Sequence, residues 1–385
     1  MALATTSDPT AVRRRALDAG RAAGLDAAGV TGADAFPEVA RVLLERRERG
    51  LAAGMQFTYR NPARSTDPRA TLPSARALVA GALGYGGPAP ERPPHGVHGR
   101  VARYARGDHY ERLGEALEAV AGSLRSDGWR AVVVADQNHL VDRAVAHRAG
   151  LGFYGKSSLL LLPGAGSWFV LGAVLTDAPL APTAAEPVPD GCGPCRRCLA
   201  ACPTGAIVEP GVVDARRCLA WLVQAPGEVP REHRVALGDR IYGCDECQDA
   251  CPPSRVTLHP RPRPDVEGAG TGSGAWVDLL DLLSADDETL LARHGRWYLA
   301  GRDPRWLRRN ALVALGNVGD GRDPAVASAL RTVLDGDDDL LAAHAAWAAR
   351  RLGRDDLLEG RTSAGPATAD ELAAPAPPPA PGAVR

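Results

Sequence analysis

All eight cysteines of the chain lie in two runs between residues 192 and 251. The first run has the form Cys192-x2-Cys195-x2-Cys198-x3-Cys202-Pro, and the second places Cys218 ahead of Cys244-x2-Cys247-x3-Cys251-Pro. Bacterial ferredoxins hold two [4Fe–4S] clusters with such runs, and the cysteine before the proline binds the other run's cluster. The spacing therefore predicts one cluster on Cys192, Cys195, Cys198 and Cys251, and a second on Cys202, Cys218, Cys244 and Cys247.

Zinc and disulfide bonds are the two alternatives for these cysteines. Paired CxxC motifs bind zinc in many proteins, but zinc requires no CxxxCP endings, and no histidine stands at ligand spacing here. Disulfides belong to oxidising compartments, and the N-terminal residues show no apolar signal segment. We therefore expect iron–sulfur clusters in a cytoplasmic protein that does not span a membrane.

Two further residues have positions that suggest chemistry. Asp136 follows a short apolar strand predicted over residues 130–135, and α/β domains often place reactive groups at strand ends. A helix-capping aspartate is the alternative. Lys156 is the only lysine of the chain. A GC-rich genome would explain the excess of arginine, so a lysine retained beside Gly155 indicates a site that needs a compact ammonium group.

The surrounding pattern indicates a mixed α/β (α+β) chain. Residues from about 8 to 50 and 108–127 are predicted to be helical, and 77–86 a buried strand. Residues 158–162 and 167–176 are predicted to form a hairpin. The expected domains are an α/β domain (1–182), a cysteine domain (183–258), a helical domain (270–356) and a disordered Ala/Pro-rich tail (361–385).

The helical domain carries a possible repeat and a basic, aromatic surface. Residues 311–316 are echoed at 347–353, a spacing close to the roughly 40 residues of HEAT-like helix pairs, although an ordinary helical cap explains two copies as well. The net charge of −1 makes the whole chain no obvious polyanion binder. Arginines interleaved with Trp297, Tyr298 and Trp306 suit RNA, or a solvated helix face. The candidate RNA contacts are Arg302, Arg305, Arg308 and Arg309.

Four segments carry a resemblance to a known family: VARYARG (101–107), AGLGFYGKSS (149–158), GSWFVLG (166–172) and RRNALVALGN (308–317). Together with the eight cysteines, they resemble epoxyqueuosine reductase over about residues 50–320. The resemblance implies a cobalamin-dependent enzyme that reduces the epoxide of epoxyqueuosine, at the wobble position of a tRNA anticodon, to the alkene of queuosine. It also implies a nitroreductase-like cobalamin-binding domain, a ferredoxin-like two-cluster module and a C-terminal HEAT-like α-helical repeat that docks tRNA.

The resemblance also implies roles for single residues. An epoxide oxygen leaves well only when it is protonated, and the family's acid is the aspartate of a D-S-A-P-V-L-E-R motif. The segment DQNHLVDR (136–143) resembles this motif and places Asp136 at the acid, with Asp142, at the position of the family's glutamate, as the rival. The implied cobalamin contacts are Arg60, Arg103, Asp136, Lys156, Ser157, Trp221 and Gln248. Arg60 and Arg103 are equally explained as partners in structural ion pairs.

The departures from the family lie near the expected active site. Gln137, Asn138 and His139 replace the family's Ser-Ala-Pro, and Ala173 replaces a glutamate. These departures leave the exact substrate open. Two other functions are the alternatives: a cobalamin-dependent reductase of another substrate, related to reductive dehalogenases, or a ferredoxin-type electron-transfer protein without corrinoid. The expected partners are a tRNA that carries epoxyqueuosine and an external electron donor, and the chain is expected to be a monomer.

Overall fold

The computed structural model describes residues 8–87, 91–256, 274–360 and 365–384. The chain forms two compact units. Unit 1 comprises Met1–Pro88, Asp108–Arg216 and Glu246–Arg263, and unit 2 comprises Ala89–Gly107, Arg217–Asp245 and Pro264–Arg385. The structure therefore groups the chain differently from the expected consecutive domains, because the cysteine segment is divided between the units. Within the described ranges, no helix is long and apolar enough to cross a membrane.

The described part of unit 1 contains both helices and strands, and the elements are numbered here along the chain. The elements of unit 1 are α1 (Pro9–Ala22), β1 (Ala27–Gly32), α2 (Pro37–Glu48), α3 (Pro62–Ser65), β2 (Ala77–Gly84), α4 (His109–Ser126), β4 (Ala131–Ala135), α5 (Asp142–Arg148), β5 (Phe153–Tyr154), β6 (Leu160–Leu161), β7 (Phe169–Thr176), α6 (Arg197–Ala201), β8 (Ile207–Glu209), β9 (Val212–Val213), α9 (Glu246–Asp249) and α10 (Pro252–Val256).

A four-stranded antiparallel sheet forms the centre of unit 1, with the strand order β1-β2-β7-β4. Side chains alternate between its faces: Val79 and Leu83 of β2 pack with α1 and α4, whereas Leu78 and Ala80 pack with α5. The predicted apolar stripe of α4 is confirmed, since Leu113, Leu117, Val120, Ala121 and Leu124 are fully buried. Strand β4 ends at Ala135, so the chain leaves the sheet at Asp136.

The predictions for two parts of unit 1 were wrong. Residues 8–50 are not helical throughout, because β1 lies between α1 and α2 and pairs with β2. The predicted hairpin does not form either: β6 pairs with β5, and β7 pairs with β2 and β4. A single bridge between Leu162 and Gly166 closes the turn between β6 and β7.

Unit 2 consists mainly of helices around one apolar core. Its elements are β3 (His98–Val101), α7 (Leu219–Leu222), α8 (Arg231–Leu237), β10 (Arg240–Tyr242), β11 (Trp276–Asp278), α11 (Leu279–Ser284), α12 (Asp287–His294), α13 (Arg305–Val318), α14 (Pro324–Leu334), α15 (Asp339–Arg351) and α16 (Pro366–Ala373). The three short strands form a sheet with the order β10-β3-β11. Helix α15 packs against both α13 and α14, and the sequence echo falls on α13 and the end of α15.

The C-terminal tail departs most from its prediction. Disorder was expected over 361–385, but residues 365–384 form α16 and an extended strap, while 361–364 and 385 lie outside the described residues. Glu371 of α16 is buried and forms ion pairs with Arg231 (2.7 Å) and Arg234 (2.8 Å) of α8. The strap continues along α15, where the Ala380 N–H donates to the Arg351 carbonyl oxygen at 2.9 Å. These buried contacts order a segment whose composition alone indicates disorder.

Candidate functional site

The loop between β4 and α5 holds Asp136 in a constrained conformation. Asp136 has φ of 49°, a left-handed value that is uncommon for residues other than glycine and is often found at functional sites. The loop is anchored at two positions that follow Asp136. The Ser65 hydroxyl donates to the Asn138 carbonyl oxygen at 2.7 Å, and Leu140 is fully buried. The predicted strand-end position of Asp136 is therefore confirmed.

Acidic groups around Asp136 are held towards their neutral forms. Burial raises the pKa of Asp136, and the negative charge of Asp108 adds to the effect. Burial raises the pKa of Asp142 well above its usual range, the charge of Asp136 raises it further, and Arg143 opposes both. Burial also raises the pKa of Tyr110, followed by the charges of Asp136 and Asp142. A carboxyl that keeps its proton at neutral pH can act as a general acid.

Arg60 lies at a cavity that reaches the loop of Asp136. The cavity has a volume of about 310 Å³ and is lined by Arg60, Asn61, Arg64, Ser65 and Asn138. Its lining consists of amide, hydroxyl and guanidinium groups and includes no carboxylate. Such groups suit phosphate and amide oxygens. Of the lining residues, Arg60 was predicted from the sequence and Arg64 and Asn138 were not, although Asn138 departs from the family motif.

The side chain of Lys156 forms hydrogen bonds with the first cysteine run. Its ammonium group donates to the carbonyl oxygens of Gly193 (2.5 Å) and Cys195 (2.9 Å). Its backbone N–H donates to the sulfur of Cys192, which partly offsets the rise that burial causes in the pKa of that thiol. The unusual lysine therefore braces the cysteine loop, a role that the sequence analysis did not predict. Ser157 follows it and is half-buried.

Three of the four cysteines predicted for the first cluster interact within unit 1. Burial raises the pKa of the Cys198 thiol, and the nearby charges of Cys192 and Cys251 raise it further; burial and, to a smaller extent, the charge of Cys251 also raise the pKa of Cys192. Cys195 is joined to Cys192 by a backbone hydrogen bond of 3.0 Å within the same loop. Helix α6 of the first run packs against α9 of the second, which brings Cys251 to the first run. Across the described ranges, no three His, Cys, Asp or Glu side chains are arranged around a single metal ion.

The predicted ligands of the second cluster are divided between the units. Cys202 and Cys247 belong to unit 1, and Cys218 and Cys244 to unit 2. The Cys202 sulfur accepts a hydrogen bond from the Ala206 N–H at 3.1 Å, a contact that tunes cluster thiolates in iron–sulfur proteins. Binding of one cluster by these four cysteines stays a prediction.

Gln248 connects the second cysteine run with residues near Asp136. It is buried, and its side-chain amide donates to the Tyr85 hydroxyl (3.1 Å) and to the Ser167 carbonyl oxygen (3.0 Å). The centre of the Tyr85 ring lies 5.6 Å from the centre of the His109 ring. His109 is the residue before Tyr110 in the sequence. Neither Tyr85 nor Tyr110 was predicted from the sequence, although the position of Tyr85 between two glycines after β2 is a usable signal.

The two predicted cobalamin contacts of unit 2 are buried. Arg103 forms an ion pair with Asp245 at 3.3 Å, and its backbone N–H donates to the same carboxylate at 2.9 Å. Asp245 directly follows Cys244, so this ion pair holds Cys244 in place within unit 2. The alternative explanation of Arg103, as a partner in a structural ion pair, predicted such a contact. Trp221 is buried on α7, three residues after Cys218.

The predicted RNA contacts divide into buried and exposed residues. Arg309 is 0% exposed and donates to the carbonyl oxygens of Leu222 (2.8 Å) and Ala225 (2.7 Å), and burial lowers its pKa to about 9. The prediction that Arg309 contacts RNA was therefore wrong, because its guanidinium caps backbone carbonyls inside unit 2. Arg308 is 18% exposed and pairs with Asp287, so it too is largely occupied by the fold.

Arg302 and Arg305 remain available at the surface. Arg302 is exposed, and the side chain of Arg305 is 40% exposed and pairs with Asp303 and Asp338. The interleaved tryptophans, Trp297 and Trp306, are buried and cannot stack on bases. Tyr298, the third interleaved aromatic residue, is 52% exposed.

Comparisons with known proteins identify a cluster-binding domain and similar enzymes. Residues 191–254 match the family described as a 4Fe-4S double cluster binding domain. The chain is 31% identical to the epoxyqueuosine reductase of Bacillus subtilis over 352 residues, which cover 89% of this chain and 88% of that protein. It is 33% identical to the epoxyqueuosine reductase of Xanthomonas campestris over 361 residues, which cover 90% and 98%.

Solved structures give the same result over the whole fold. An epoxyqueuosine reductase bound to an epoxyqueuosine-modified tRNA(Tyr) stem loop superposes with a TM-score of 0.83 and 30% identity, over 95% of this chain and 98% of that one. The Bacillus subtilis enzyme, in a form whose aspartate catalytic loop is swung out of the active site, gives a TM-score of 0.82 and 29% identity over the same shares. The extent and identity of these matches show that the chain belongs to the epoxyqueuosine reductase family.

Proposed function

We propose that this protein reduces epoxyqueuosine to queuosine in tRNA, with Asp136 as the acid that protonates the epoxide oxygen. The observation that carries the proposal is the position of Asp136. It stands at the tip of an anchored loop, its pKa is raised by burial, and it belongs to the same unit as the clustered Cys192, Cys198 and Cys251. A proton donor and an electron-transfer centre are the two components that a reductive deoxygenation requires.

The proposed cofactors are two [4Fe–4S] clusters and cobalamin. The cysteine runs supply eight thiolates, the number that two cubanes need. The cavity beside Asn138 fits part of a cobalamin, because Arg60 and Arg64 suit its phosphate, and Asn61 and Asn138 suit its amide side chains. When bound, cobalamin would supply a strongly reducing cobalt centre, and the clusters would supply single electrons from an external donor.

The chain's own residues then have distinct roles in the proposal. Asp136 holds the proton until the substrate oxygen is in reach, and Ser65 and Leu140 keep its loop in place. Lys156 holds the first cysteine loop in shape through two backbone carbonyls. Gln248 and Tyr85 join the second cysteine run to the acid site. Ser157, Arg103 and Trp221 stay predicted cobalamin contacts.

The fold assignment extends the proposal to the architecture. We propose that the sheet of unit 1, with helices on both faces, is the nitroreductase-like cobalamin-binding part of the family fold. The stacked helices α13, α14 and α15 support a HEAT-like repeat in unit 2 that docks the tRNA. The surface formed by Tyr298, Arg302 and Arg305 provides an exposed ring for stacking and cations for phosphates. A monomeric cytoplasmic enzyme is consistent with these assignments.

The direct test is conversion of the modified nucleoside. The protein is purified anaerobically, reconstituted with iron, sulfide and cobalamin, and incubated with epoxyqueuosine-containing tRNA and a strong reductant. Mass spectrometry of the nucleosides is expected to show queuosine. If about eight iron atoms and cobalamin bind but no queuosine forms, the substrate is a different one. If cobalamin does not bind, the electron-transfer alternative is favoured.

A further inference from the structure

The proposed reaction draws its electrons from outside the protein. Conversion of an epoxide to an alkene breaks two carbon–oxygen bonds, forms one carbon–carbon π bond and releases the oxygen as water. The change consumes two protons and two electrons, and [4Fe–4S] clusters pass electrons one at a time. A one-electron donor must therefore meet the protein twice in each turnover. The following inference rests on the proposed function and concerns the surface on which that donor binds.

The loop of the first cysteine run lies at the surface of unit 1. Its cysteines are half-buried, whereas Gly193, Pro194, Arg196 and Arg197 are exposed. Gly193 has φ of 47°. Among the described residues, no heavy atom beyond those of its chain neighbours lies within 4 Å of the position that a Cβ of Gly193 would take. This side of the loop is therefore open, and another molecule can approach its backbone closely.

Arg196 and Arg197 are the two residues between Cys195 and Cys198. Their side chains form no ion pair, hydrogen bond or ring contact with any residue that the structure describes. The backbone that carries them is fixed, because Arg196 occupies the N-cap position of α6 and the ammonium group of Lys156 donates to the carbonyl oxygen of Cys195. Two unpaired positive charges are thus held beside predicted ligands of the first cluster.

Carboxylates in the same part of unit 1 are engaged elsewhere. The Asp190 carboxylate accepts a hydrogen bond from the Cys192 N–H at 2.8 Å, and the Glu209 carboxylate pairs with Arg49 at 3.0 Å. Neither of these carboxylates forms an ion pair with the two arginines of the loop. Exposed cations without a partner create a positive potential at the surface, which attracts acidic molecules.

An exposed apolar residue lies on an element that packs against the same loop. Strand β8 packs against α6, and Val208 of β8 is 38% exposed. Protein interfaces combine apolar contacts with arginine. Single-stranded RNA is instead recognised largely through aromatic rings that stack on its bases, and residues 191–202 contain no aromatic residue. These features favour a protein partner over RNA.

We propose that Arg196 and Arg197 form the docking surface for an acidic, one-electron carrier protein of low reduction potential. Opposite charges speed the encounter of such a carrier with the loop and orient it on the surface. Each docked carrier is oxidised by one electron, and the first cluster is reduced by one electron. Two successive carriers supply the two electrons that one epoxide consumes, and the two protons come from Asp136 and from solvent.

The test uses a plant-type ferredoxin, an acidic carrier of low reduction potential, as the probe. The full-length protein is reconstituted with iron, sulfide and cobalamin, and stopped-flow absorbance follows reduction of its clusters by reduced ferredoxin. In the double variant Arg196→Gln/Arg197→Gln, the second-order rate at low salt is expected to fall at least about tenfold, the lower end of electrostatic steering. High salt should remove most of that difference, because it screens exposed charges. Titration calorimetry with oxidised ferredoxin should show weaker binding without any turnover.

Three comparisons separate the charge of the arginines from other roles. Arg196→Lys/Arg197→Lys keeps both positive charges and should retain most of the rate. Reduced methyl viologen, a small cation that needs no docking surface, should reduce the Gln variant as fast as the wild type. Arg14→Gln/Arg21→Gln, at exposed positions of α1, changes the net charge by the same amount and should leave reduction by ferredoxin unchanged. Iron content, about eight atoms per chain, and tRNA affinity should be equal in all these proteins.

Equal rates with ferredoxin for the wild type and the Gln variant would overturn the proposal, as would failure of ferredoxin to reduce the wild type. Weaker tRNA binding with unchanged reduction by ferredoxin would assign the arginines to the nucleic acid instead. An equal loss of rate with methyl viologen would show that the arginines act on the cluster and not on the carrier. If the wild type accepts electrons from ferredoxin but forms no queuosine, the proposed function fails while the docking surface stands.

Discussion

The side-chain amide of Gln248 donates to the hydroxyl of Tyr85 at 3.1 Å. This hydrogen bond joins a residue between two cysteines, Cys247 and Cys251, to an aromatic residue at the end of β2. The Tyr85 ring also lies 5.6 Å from the ring of His109, the residue before Tyr110, so the second cysteine run and the acid site have neighbouring residues in unit 1. A substitution near the acid site is therefore expected to affect the second cysteine run even when all eight cysteines are kept.

The variant Tyr85→Phe removes the acceptor but keeps the ring. We expect the free energy of unfolding to fall by about 1 kcal/mol, the usual value for one hydrogen bond, because Gln248 keeps its bond to Ser167. Iron content should be unchanged. Anaerobic denaturant titration and an iron assay measure both quantities, with Tyr298→Phe, at an exposed ring, as the control. A marked loss of iron would show that Tyr85 supports the cluster loop directly.

Replacement of Lys156 should affect the first cluster. Lys156→Met keeps the length of the side chain but removes the two hydrogen bonds to the carbonyls of Gly193 and Cys195. Iron content should fall from about eight atoms per chain towards about four, while the protein stays folded. Arg21→Met, on the exposed surface of α1, should keep the full content. Full iron in Lys156→Met would mean that the loop holds its shape without the lysine.

The arginines of unit 2 should separate into two classes. Arg302→Ala together with Arg305→Ala should weaken tRNA binding and lower its dependence on salt, because each exposed cation neutralises a phosphate. Tyr298→Ala should weaken binding by about 1–3 kcal/mol if its ring stacks on an unpaired base. Filter-binding titrations at several salt concentrations measure these effects. Unchanged affinity and salt dependence would place the tRNA on another surface.

Arg309→Ala should instead destabilise the protein. Its guanidinium satisfies backbone carbonyls that would otherwise be buried without a donor, so we expect a loss of about 3 kcal/mol in the free energy of unfolding. Denaturant titration distinguishes this from a binding defect. Wild-type stability combined with weakened tRNA binding would restore Arg309 as an RNA contact.

The buried ion pairs of the C-terminal segment should contribute to the stability of unit 2. Glu371→Gln leaves Arg231 and Arg234 without their shared carboxylate, and breaking a buried pair costs about 3–5 kcal/mol. Asp370→Asn, at the exposed neighbouring position, should have little effect. Equal denaturation midpoints for the two variants would show that α16 is not anchored by Glu371.

Local spacing was sufficient to predict a two-cluster domain and the strand-end position of Asp136. The CxxxCP endings are typical of iron–sulfur cluster ligands, which lie close together in the sequence. An apolar strand followed by an aspartate places that aspartate at the end of the strand. The stripe of α4 was predicted for a similar reason, because helical periodicity records burial directly. In each of these cases, the determining contacts lie close together along the chain.

Long-range contacts explain what the sequence did not reveal. Strand β1 has small residues and two glycines, and only its pairing with β2 makes it a strand. In the sequence Arg309 resembles a surface cation, because only the fold places the carbonyls of Leu222 and Ala225 beside it. Glu371 orders the tail through arginines on α8, and Lys156 braces a loop that begins far along the chain. No local pattern contains these partners, so composition suggested disorder for the tail and a basic, aromatic pattern suggested an RNA contact for Arg309.

The central claim is that Asp136 is the proton donor for epoxyqueuosine reduction. Because the pKa of Asp136 is raised and the acid must be protonated, wild-type activity should be full at low pH and fall as pH rises through that pKa. Asp136→Asn should bind the same iron and cobalamin as the wild type but lack the acid. The most direct measurement is therefore single-turnover formation of queuosine by both proteins, read by nucleoside mass spectrometry at equal cofactor content. The account predicts queuosine from the wild type and a loss of at least about a hundredfold in rate for the variant; equal rates would contradict it.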